Sequence, residues 1–539
     1  MKRYLVCLLI LLSSVYLQAQ PLTSSDLPII VINTNGQEIL DDPKVMADMG
    51  IVNNASGQRN NFTDAFNEYN GKIGIEIRGQ SSQQFPMKSY SIELWDNSGA
   101  GVNQALFGLP SESDWVLYAP YNEKTLMHNF LAYTISRQMG RWAANCRYVE
   151  LVLNGEYAGI YVLMEKIKRN DARVKIAKIS KNDISGDKLT GGYIFSIDKQ
   201  ADGWFSAYNA GAFFNAPVQY SYVYPKLSNI VQEQKNYIKS YVDSFETALK
   251  NSNYQDTANG WRHFADEGSF IDYFLLNEVS RNVDGYRLSS YFYKDRNSVN
   301  RKIMAGPAWD YDLAFKNADY CNGSDTAGWA WQFNTVCSGD FWQVPFWWDR
   351  FKTDTTFQHD LLCRWKQLRQ TTLSQQSLYS LIDSVAALTS EARHRHFTKW
   401  PVLGKYIWPN PAPIATTYEE EISQLKSWLT SRLRWMDKNL SNVGKCALVI
   451  PPPPSANSAS IYPNPINDHT TIKILSVSRQ VMHLQVYDMS GRTLVYDSYQ
   501  LVQGENIINL NTASWTKGIY TFRFIADAGK RFANRVMKK

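Results

Sequence analysis

Two aspartates separated by a single residue stand near the middle of the chain and have the chemistry of a metal site. Asp310 and Asp312 lie in the segment Trp309-Asp310-Tyr311-Asp312. In an extended segment, residues i and i+2 face the same way, so both carboxylates would point to one side. Mg²⁺ seeks oxygen ligands and is usually held by one or two carboxylates together with phosphate oxygens. The pair is a candidate magnesium site, although two solvated aspartates at a strand end would give the same pattern.

A Gly/Ser-rich turn between two predicted strands is a candidate phosphate site. Residues 77–90 have the sequence IRGQSSQQFPMKSY, in which Arg78 precedes the turn and Lys88 follows it. The backbone N–H groups of such a turn can bind phosphate oxygens. A lysine on the next strand can place its ammonium against the same phosphates. The spacing matches neither of the common phosphate-loop motifs, and an ordinary polar hairpin fits the local pattern as well.

A third polar segment, Asn282-Val283-Asp284, follows a predicted apolar helix at 270–276 and precedes a strand-like stretch at 290–293. Catalytic groups are often found on such connections between elements. Polar residues that simply end a helix are the alternative. Asp284 precedes Asp310 by 26 residues, which leaves room for one pair of strands between them.

In their order along the chain, these segments resemble the CotH kinase family, named for spore coat protein H. The functional parts of kinases occur in the same order, which is turn, strand lysine, helix, strands, helix, loop aspartate and final aspartate. The matching stretches span most of residues 28–440. They are residues 78–94, 114–121, 124–126, 148–166, 191–194, 282–284, 309–315 and 428–437. The resemblance implies a divergent protein-kinase-like fold and ATP-dependent phosphorylation of hydroxyl side chains on exported proteins.

The resemblance also implies roles for individual residues. Asp284 falls on the catalytic position, where it would orient and deprotonate the acceptor hydroxyl. Lys88 falls on the strand lysine, and we assign nucleotide binding to Lys88 and Arg78. Asp310 and Asp312 fall on the metal position, so Mg²⁺ and ATP are the expected cofactor and phosphoryl donor.

The sequence departs from ordinary protein kinases at several positions. The predicted helix 125–139 has no glutamate to pair with Lys88, as ordinary protein kinases require. Glu165 matches a family glutamate, but its role is open. Ser289 and Ser290 stand where an ordinary kinase has its second metal-binding asparagine. The alternative function is therefore a non-catalytic kinase-like surface protein for adhesion or matrix binding.

Both ends of the chain indicate export. Residues 1–20 have the basic start and short apolar run of a cleaved signal peptide. No other stretch approaches eighteen apolar residues, so we expect no transmembrane span in the mature protein. Residues 447–460 form a proline-rich linker, and residues 461–539 alternate apolar and polar residues as in a small all-β, immunoglobulin-like sandwich.

The C-terminal segment resembles the type A sorting domain of type IX secretion. The similarity rests on 461–465, 486–492, 518–520 and the basic end of the chain. It implies that residues 461–539 engage the type IX secretion machinery, which carries the protein across the outer membrane to the surface or the medium. A generic carbohydrate-binding β-sandwich is the alternative.

The remaining features fix the expected architecture of residues 21–446 as an α+β, two-lobed domain. Asn154-Gly155 between two hydrophobic runs predicts a hairpin. Apolar spacing predicts helices at 125–139 and 228–250, and a capping box begins another at Thr417. The net charge of +6 is spread without a dense basic stripe, so nucleic-acid binding is not expected.

Export also makes disulfides possible. Five cysteines follow the signal peptide, so at least one must lack an intramolecular partner. Cys321 and Cys337 flank a Gly/Trp-rich loop and form the best candidate pair, although five reduced cysteines would also fit the sequence.

Overall fold

The computed structural model describes residues 22–440 except 56, 200–201 and 211–216, then residue 446, and then 458–538 except 464, 477, 489–491, 503 and 527–530. The chain divides into two compact units, Met1–Gly444 and Lys445–Lys539. The predicted signal peptide at 1–20 and most of the predicted linker at 447–460 lie outside the described residues.

The first part of the larger unit is a closed β-barrel. Its elements, in chain order, are β1 (Ser24–Ser25), β2 (Ile29–Asn33), β3 (Val45–Val52), β4 (Asn60–Asn61), β5 (Tyr69–Arg78), β6 (Ser89–Trp95), β7 (Asp114–Tyr118), α1 (His128–Gln138), β8 (Cys146–Leu153) and β9 (Glu156–Glu165). Seven strands close in the order β2-β3-β5-β6-β7-β9-β8. Neighbouring strands are antiparallel except β2 and β8, which are parallel.

Alternating side chains fill the barrel because successive residues of a strand face opposite sides. Ile73 and Ile75 of β5 and Trp115 and Leu117 of β7 belong to one buried cluster. The hairpin predicted at Asn154-Gly155 is confirmed, since β8 and β9 pair across it. Both turn residues have positive φ, 52° and 82°, the conformation that Asn-Gly turns adopt.

The second part of this unit combines a five-stranded sheet with helices. Its elements are α2 (Gly186–Leu189), β10 (Tyr193–Ile197), β11 (Trp204–Asn209), β12 (Pro217–Tyr224), α3 (Gln232–Lys250), α4 (Glu267–Ser280), β13 (Ser290–Lys294), α5 (Asn297–Asn300), β14 (Ile303–Ala305), α6 (Phe333–Val336), α7 (Trp347–Thr353), α8 (Thr355–Arg369), α9 (Gln375–Leu388), α10 (Ala392–Lys399) and α11 (Tyr418–Asn439). The sheet order is β11-β12-β10-β13-β14. Helix α4 is buried from Ser269 to Ser280, as expected for the central helix of a core.

Several sequence predictions for this part are confirmed. Helix α3 covers most of the predicted helix at 228–250, and the capping box of α11 forms at Thr417. Cys321 and Cys337 form a disulfide, and Cys146 is a free, buried cysteine. In the part of the chain that the structure describes, no helix has the length and apolar character needed to cross a bilayer.

The smaller unit is built from strands, as its alternating pattern predicts. They are β15 (Ser458–Tyr462), β16 (His469–Ser476), β17 (Gln480–Asp488), β18 (Thr493–Leu501), β19 (Gly504–Asn511), β20 (Gly518–Ala526) and β21 (Arg531–Lys538). They form two sheets, β15-β16-β19 and β18-β17-β20-β21. Side chains from both sheets, including Ile472, Ile474, Leu484 and Phe522, share one buried core. The structure thus has a mixed α and β region followed by a β-rich region.

Candidate functional site

A polar cavity of about 280 Å³ lies between the barrel and the second part of the larger unit. We call it the central cavity. The barrel contributes Arg78 and the turn 79–82, and helix α1 contributes Asn129 and Tyr133. The second part contributes polar residues from three connections, namely Asp198, Lys199, Asp284, Ser289, Asp310 and Asp312. Four of the five residues that the sequence singles out therefore meet in one cavity.

Helix α1 holds the segment that carries the two neighbouring aspartates. The backbone N–H of Asp310 donates to the Tyr133 hydroxyl at 3.1 Å, and that of Tyr311 donates to the Asn129 side-chain oxygen at 2.7 Å. A ring nitrogen of His128 lies 3.2 Å from the Asp312 carbonyl oxygen. Asp310 adopts φ +63°, so the segment is not the extended strand that the i, i+2 argument assumes. Both aspartates still line the cavity.

Three buried asparagines support Asp312 from behind. Asn122 donates to a carboxylate oxygen of Asp312 at 3.5 Å, and Asn317 donates to its backbone carbonyl at 2.8 Å. Asn410 donates to the carbonyl of Asn122 at 2.7 Å and to the side-chain oxygen of Asn317 at 2.8 Å. Because these donors are neutral, they orient Asp312 without placing a positive charge beside it.

The carboxyl groups in the cavity repel one another. Burial raises the pKa of Asp310, and the nearby Asp284 charge raises it further. Burial also raises the pKa of Asp312 well above its usual range, with Asp310 and Asp284 as additional causes. Opposite charge close to such groups favours their ionised form. The cluster is therefore suited to a bound cation.

Asp284 lies on the connection that follows α4. Helix α4 ends at Arg281, which has φ +45° and caps the helix in the left-handed conformation. Arg287 donates to the Asp284 carboxylate at 2.7 Å, and the exposed fractions of the two side chains are 2% and 19%. Asn282 donates to the backbone carbonyl of Asp310 at 3.5 Å. This connection therefore holds Asp284 in a fixed orientation beside the aspartate pair.

The turn after β5 has the properties of an anion site. Gly79 has φ +97°, a conformation that glycine adopts at little cost. The Arg78 guanidinium lies 5.3 Å from the centre of the Trp309 ring. Its Nη1 is buried and has no hydrogen-bond partner among the described residues. Since buried polar atoms are nearly always paired, an anion such as a phosphate is a natural partner for this nitrogen.

Lys88 is the one predicted site residue that does not line the central cavity. Its ammonium donates to the Gln83 carbonyl at 2.6 Å. Glu165 does not line the cavity either. It accepts from the Asn145 side chain at 2.7 Å and lies 3.5 Å from Arg173. Lys88 and Glu165 therefore have different partners.

Sequence reasoning missed Asp198 and Lys199, which follow β10. Burial raises the pKa of Asp198, with Asp310 and Asp284 as further causes. Polar residues directly after a buried strand were the available signal, but that signal occurs at many strand ends. Ser289, which the sequence places at a departure from ordinary kinases, lines the cavity. Its hydroxyl lies 3.4 Å from carboxylate oxygens of both Asp198 and Asp310.

The donor set fits a divalent cation and a phosphate-bearing ligand. Four aspartates and two cationic side chains, Arg78 and Lys199, line the central cavity. Fully ionised, these six side chains carry a net negative charge, which a cation would offset. Carboxylate oxygens are the ligands that Mg²⁺ prefers. The Tyr118 hydroxyl is buried without a partner among the described residues, so it is a further group that a ligand would satisfy.

Comparisons with known proteins assign both regions of the chain. A family described as CotH kinase protein matches residues 75–436, and a secretion system C-terminal sorting domain matches residues 460–539. No curated protein matches the chain. Among solved structures, the thioester domain of the Enterococcus faecium TIE86 protein is 12% identical, over 28% of this chain and 58% of that chain. Its TM-score of 0.09 is too low to support an argument about the fold.

Both resemblances found in the sequence are thereby confirmed. The type IX C-terminal sorting domain indicates that the protein is secreted or attached to the cell surface. It also implies that the type IX secretion machinery takes part in its export.

Proposed function

The chain belongs to the CotH kinase protein family, and on that premise we propose that it is an exported kinase that transfers phosphate from ATP to hydroxyl side chains of other exported proteins. One observation carries the proposal. The buried, unpartnered nitrogen of Arg78 and the carboxylates of Asp284, Asp310 and Asp312 belong to the same cavity. A cation for phosphate, a metal-binding pair and a base are the groups that phosphoryl transfer needs.

Each group has a distinct role in this proposal. Arg78 and the backbone N–H groups of the turn 79–82 bind the phosphates, and Asp310 and Asp312 hold the metal. When bound, Mg²⁺ supplies positive charge that offsets the charge of the transferring phosphoryl group. Lys88 is assigned to the nucleotide by the family resemblance, and that assignment stays a prediction.

Asp284 acts on the acceptor hydroxyl. The acceptor oxygen forms a bond to the γ-phosphorus while the bond from that phosphorus to the β–γ bridging oxygen breaks. ADP leaves with the bonding electron pair, and the hydroxyl proton goes to the Asp284 carboxylate. Arg287 keeps this carboxylate oriented without blocking the cavity side.

The domain organisation proposed from the sequence fits this function. The barrel would form the β-rich lobe of a kinase-like domain over 21–446, and the helical part would form the other lobe. The linker 447–460 would separate it from an immunoglobulin-like sandwich at 461–539, which the export machinery recognises. The signal peptide at 1–20 would direct passage across the inner membrane.

Nucleotide binding and phosphoryl transfer test the proposal separately. Mg-ATP at 100 times its Kd should stabilise the protein by about 2.7 kcal/mol and raise its Tm. Asp284→Asn should lower phosphorylation of dephosphorylated casein by roughly 10²–10⁴-fold and keep the Mg-ATP shift. Asp310→Asn combined with Asp312→Asn should abolish the shift. Asp171→Asn, whose side chain is 80% exposed, is the matched control and should behave as the parent protein does.

A non-catalytic kinase-like surface protein for adhesion or matrix binding is the second candidate. It is favoured by the contacts of Lys88 and Glu165, because each binds another partner and the two do not form the lysine–glutamate pair of ordinary kinases. No Tm shift at millimolar Mg-ATP would support this candidate and contradict the kinase proposal.

A further inference from the structure

The central cavity has a second cationic side chain, Lys199, which comes from a different element than Arg78. Arg78 ends strand β5 of the barrel, whereas Lys199 follows strand β10 of the five-stranded sheet. Both line the cavity. The two cations therefore approach a bound ligand from different elements.

Contacts of Lys199 connect it indirectly to Asp284. Its ammonium lies 5.5 Å from the centre of the Trp342 ring. The Trp342 carbonyl accepts from Arg287 at 3.2 Å, and the same guanidinium donates to Asp284. Lys199 and Asp284 are thus linked through one aromatic residue and one arginine.

A second set of contacts connects Lys199 to the metal side. Its backbone N–H donates to one carboxylate oxygen of Asp198 at 2.7 Å. The other oxygen of Asp198 is 3.4 Å from the Ser289 hydroxyl, which is equally distant from Asp310. Lys199 is therefore held between the residues assigned to the metal and the residue assigned to the acceptor.

The ammonium of Lys199 is not committed to a protein carboxylate. No ion pair joins it to an acidic side chain in the described part of the chain, whereas Arg287 contacts both Asp284 and Asp340. A phosphoryl group in transfer spreads its charge over three equatorial oxygens. Lys199, which lines the cavity together with Asp284 and Asp310, is a cation available to bind that charge.

We propose that Lys199 is a catalytic residue that binds the γ-phosphoryl group as it moves to the acceptor. This inference rests on the proposed kinase function. Because ADP lacks the γ-phosphate, the contact with Lys199 exists in the complex with ATP and not in the complex with ADP. Arg78 contacts phosphates that both nucleotides carry, so the two cations should be separable by experiment.

The test compares Mg-ATP and Mg-ADP affinities of the full chain by calorimetry, together with kcat. Lys199→Met should weaken ATP binding by roughly tenfold, the effect of losing one hydrogen bond to a charged group, and leave ADP binding unchanged. Its kcat should fall by roughly 10²-fold, as when one preorganised donor is removed. Lys199→Arg should recover part of both losses. Lys181→Met, at an exposed lysine, is the control.

Four results would overturn the inference. Equal weakening of ATP and ADP would assign Lys199 to other phosphates, and a higher KM for casein with unchanged kcat would assign it to the acceptor. Unchanged ATP affinity and kcat in Lys199→Met, with nucleotide binding intact in the parent, would refute the Lys199 role alone. Absence of nucleotide binding in the parent protein would instead refute the kinase proposal, and the inference with it.

Discussion

Replacement of Glu123 by glutamine tests whether a buried carboxyl group near the proposed metal site is protonated at neutral pH. Glu123 is 1% exposed. It accepts a hydrogen bond from the backbone N–H of His128 at 3.0 Å, and it also contacts the Thr125 hydroxyl. It thereby fixes the start of α1, the helix that supports the Asp310 and Asp312 segment.

Burial controls the charge of both side chains in this pair. It raises the pKa of Glu123 to about 8 and lowers the pKa of His128 to about 3. At neutral pH both groups are therefore uncharged. The Nε2 of His128 lies 3.4 Å from the Glu123 carboxyl group, and its other ring nitrogen faces the Asp312 carbonyl. A protonated Glu123 beside an unprotonated Nε2 is consistent with these contacts.

The pKa of Glu123 sets the magnitude and the sign of the pH effect. Below pH 4.5, Glu123 is protonated in both the folded and the unfolded state, so its ionisation does not lower the free energy of unfolding. From pH 4.5 to about 8, only the unfolded state ionises. The free energy of unfolding then falls by up to about 1.4 kcal/mol per pH unit, or roughly 5 kcal/mol over the whole window.

Glu123→Gln should remove this fall in the free energy of unfolding with rising pH. Relative to the parent protein, the variant should gain up to about 1.4 kcal/mol of stability for each unit of pH between 5 and 8. Urea unfolding at each pH, followed by tryptophan fluorescence, measures the difference. The signal reports on the larger unit, because Trp515 is the one tryptophan of 17 in Lys445–Lys539.

Glu278→Gln is the matched control. Glu278 is fully buried like Glu123, but it pairs with Arg432 at 3.0 Å. Glu278→Gln should lower the free energy of unfolding by roughly 3–5 kcal/mol at every pH between 5 and 8, because the buried Arg432 charge then lacks its carboxylate partner. If Glu123→Gln keeps the pH slope of the parent protein, Glu123 is ionised in the folded state and the reasoning is wrong.

Three further predictions follow from the site and the sorting domain. Arg78→Met should weaken Mg-ATP binding, whereas Lys88→Met should leave the affinity near the parent value, because of these two residues only Arg78 lines the cavity. Calorimetry measures both affinities, and the reverse order would favour the family assignment of Lys88. Gly79→Ala should lower Tm and Mg-ATP affinity, because φ +97° costs alanine about 1–2 kcal/mol, while Gly339→Ala, at a site with open space around a new Cβ, should change neither. A chain lacking 461–539 should keep the Tm of its larger unit but be absent from the cell surface and the medium, and immunodetection of the truncated protein there would contradict the sorting role.

The sequence by itself determined the local elements and the division into two kinds of structure. Asn154-Gly155 specifies its hairpin, because a two-residue turn with positive φ is a property of those residue types. The capping box at Thr417 and the apolar spacing at 228–250 specify helices by hydrogen bonds and periodicity within a few residues. The strand alternation in 461–539 predicted a β-rich region for the same reason.

Only the tertiary structure decided which side chains share the central cavity. Closure of the barrel through the parallel pair β2 and β8 joins strands more than a hundred residues apart, and no local pattern encodes that pairing. The turn that directs Arg78 inward also directs Lys88 to the Gln83 carbonyl. Lys199 and Asp284 line one cavity only because separate connections pack together. Propensity and periodicity act over neighbouring residues, whereas the composition of a site depends on packing between distant elements, which the sequence does not display.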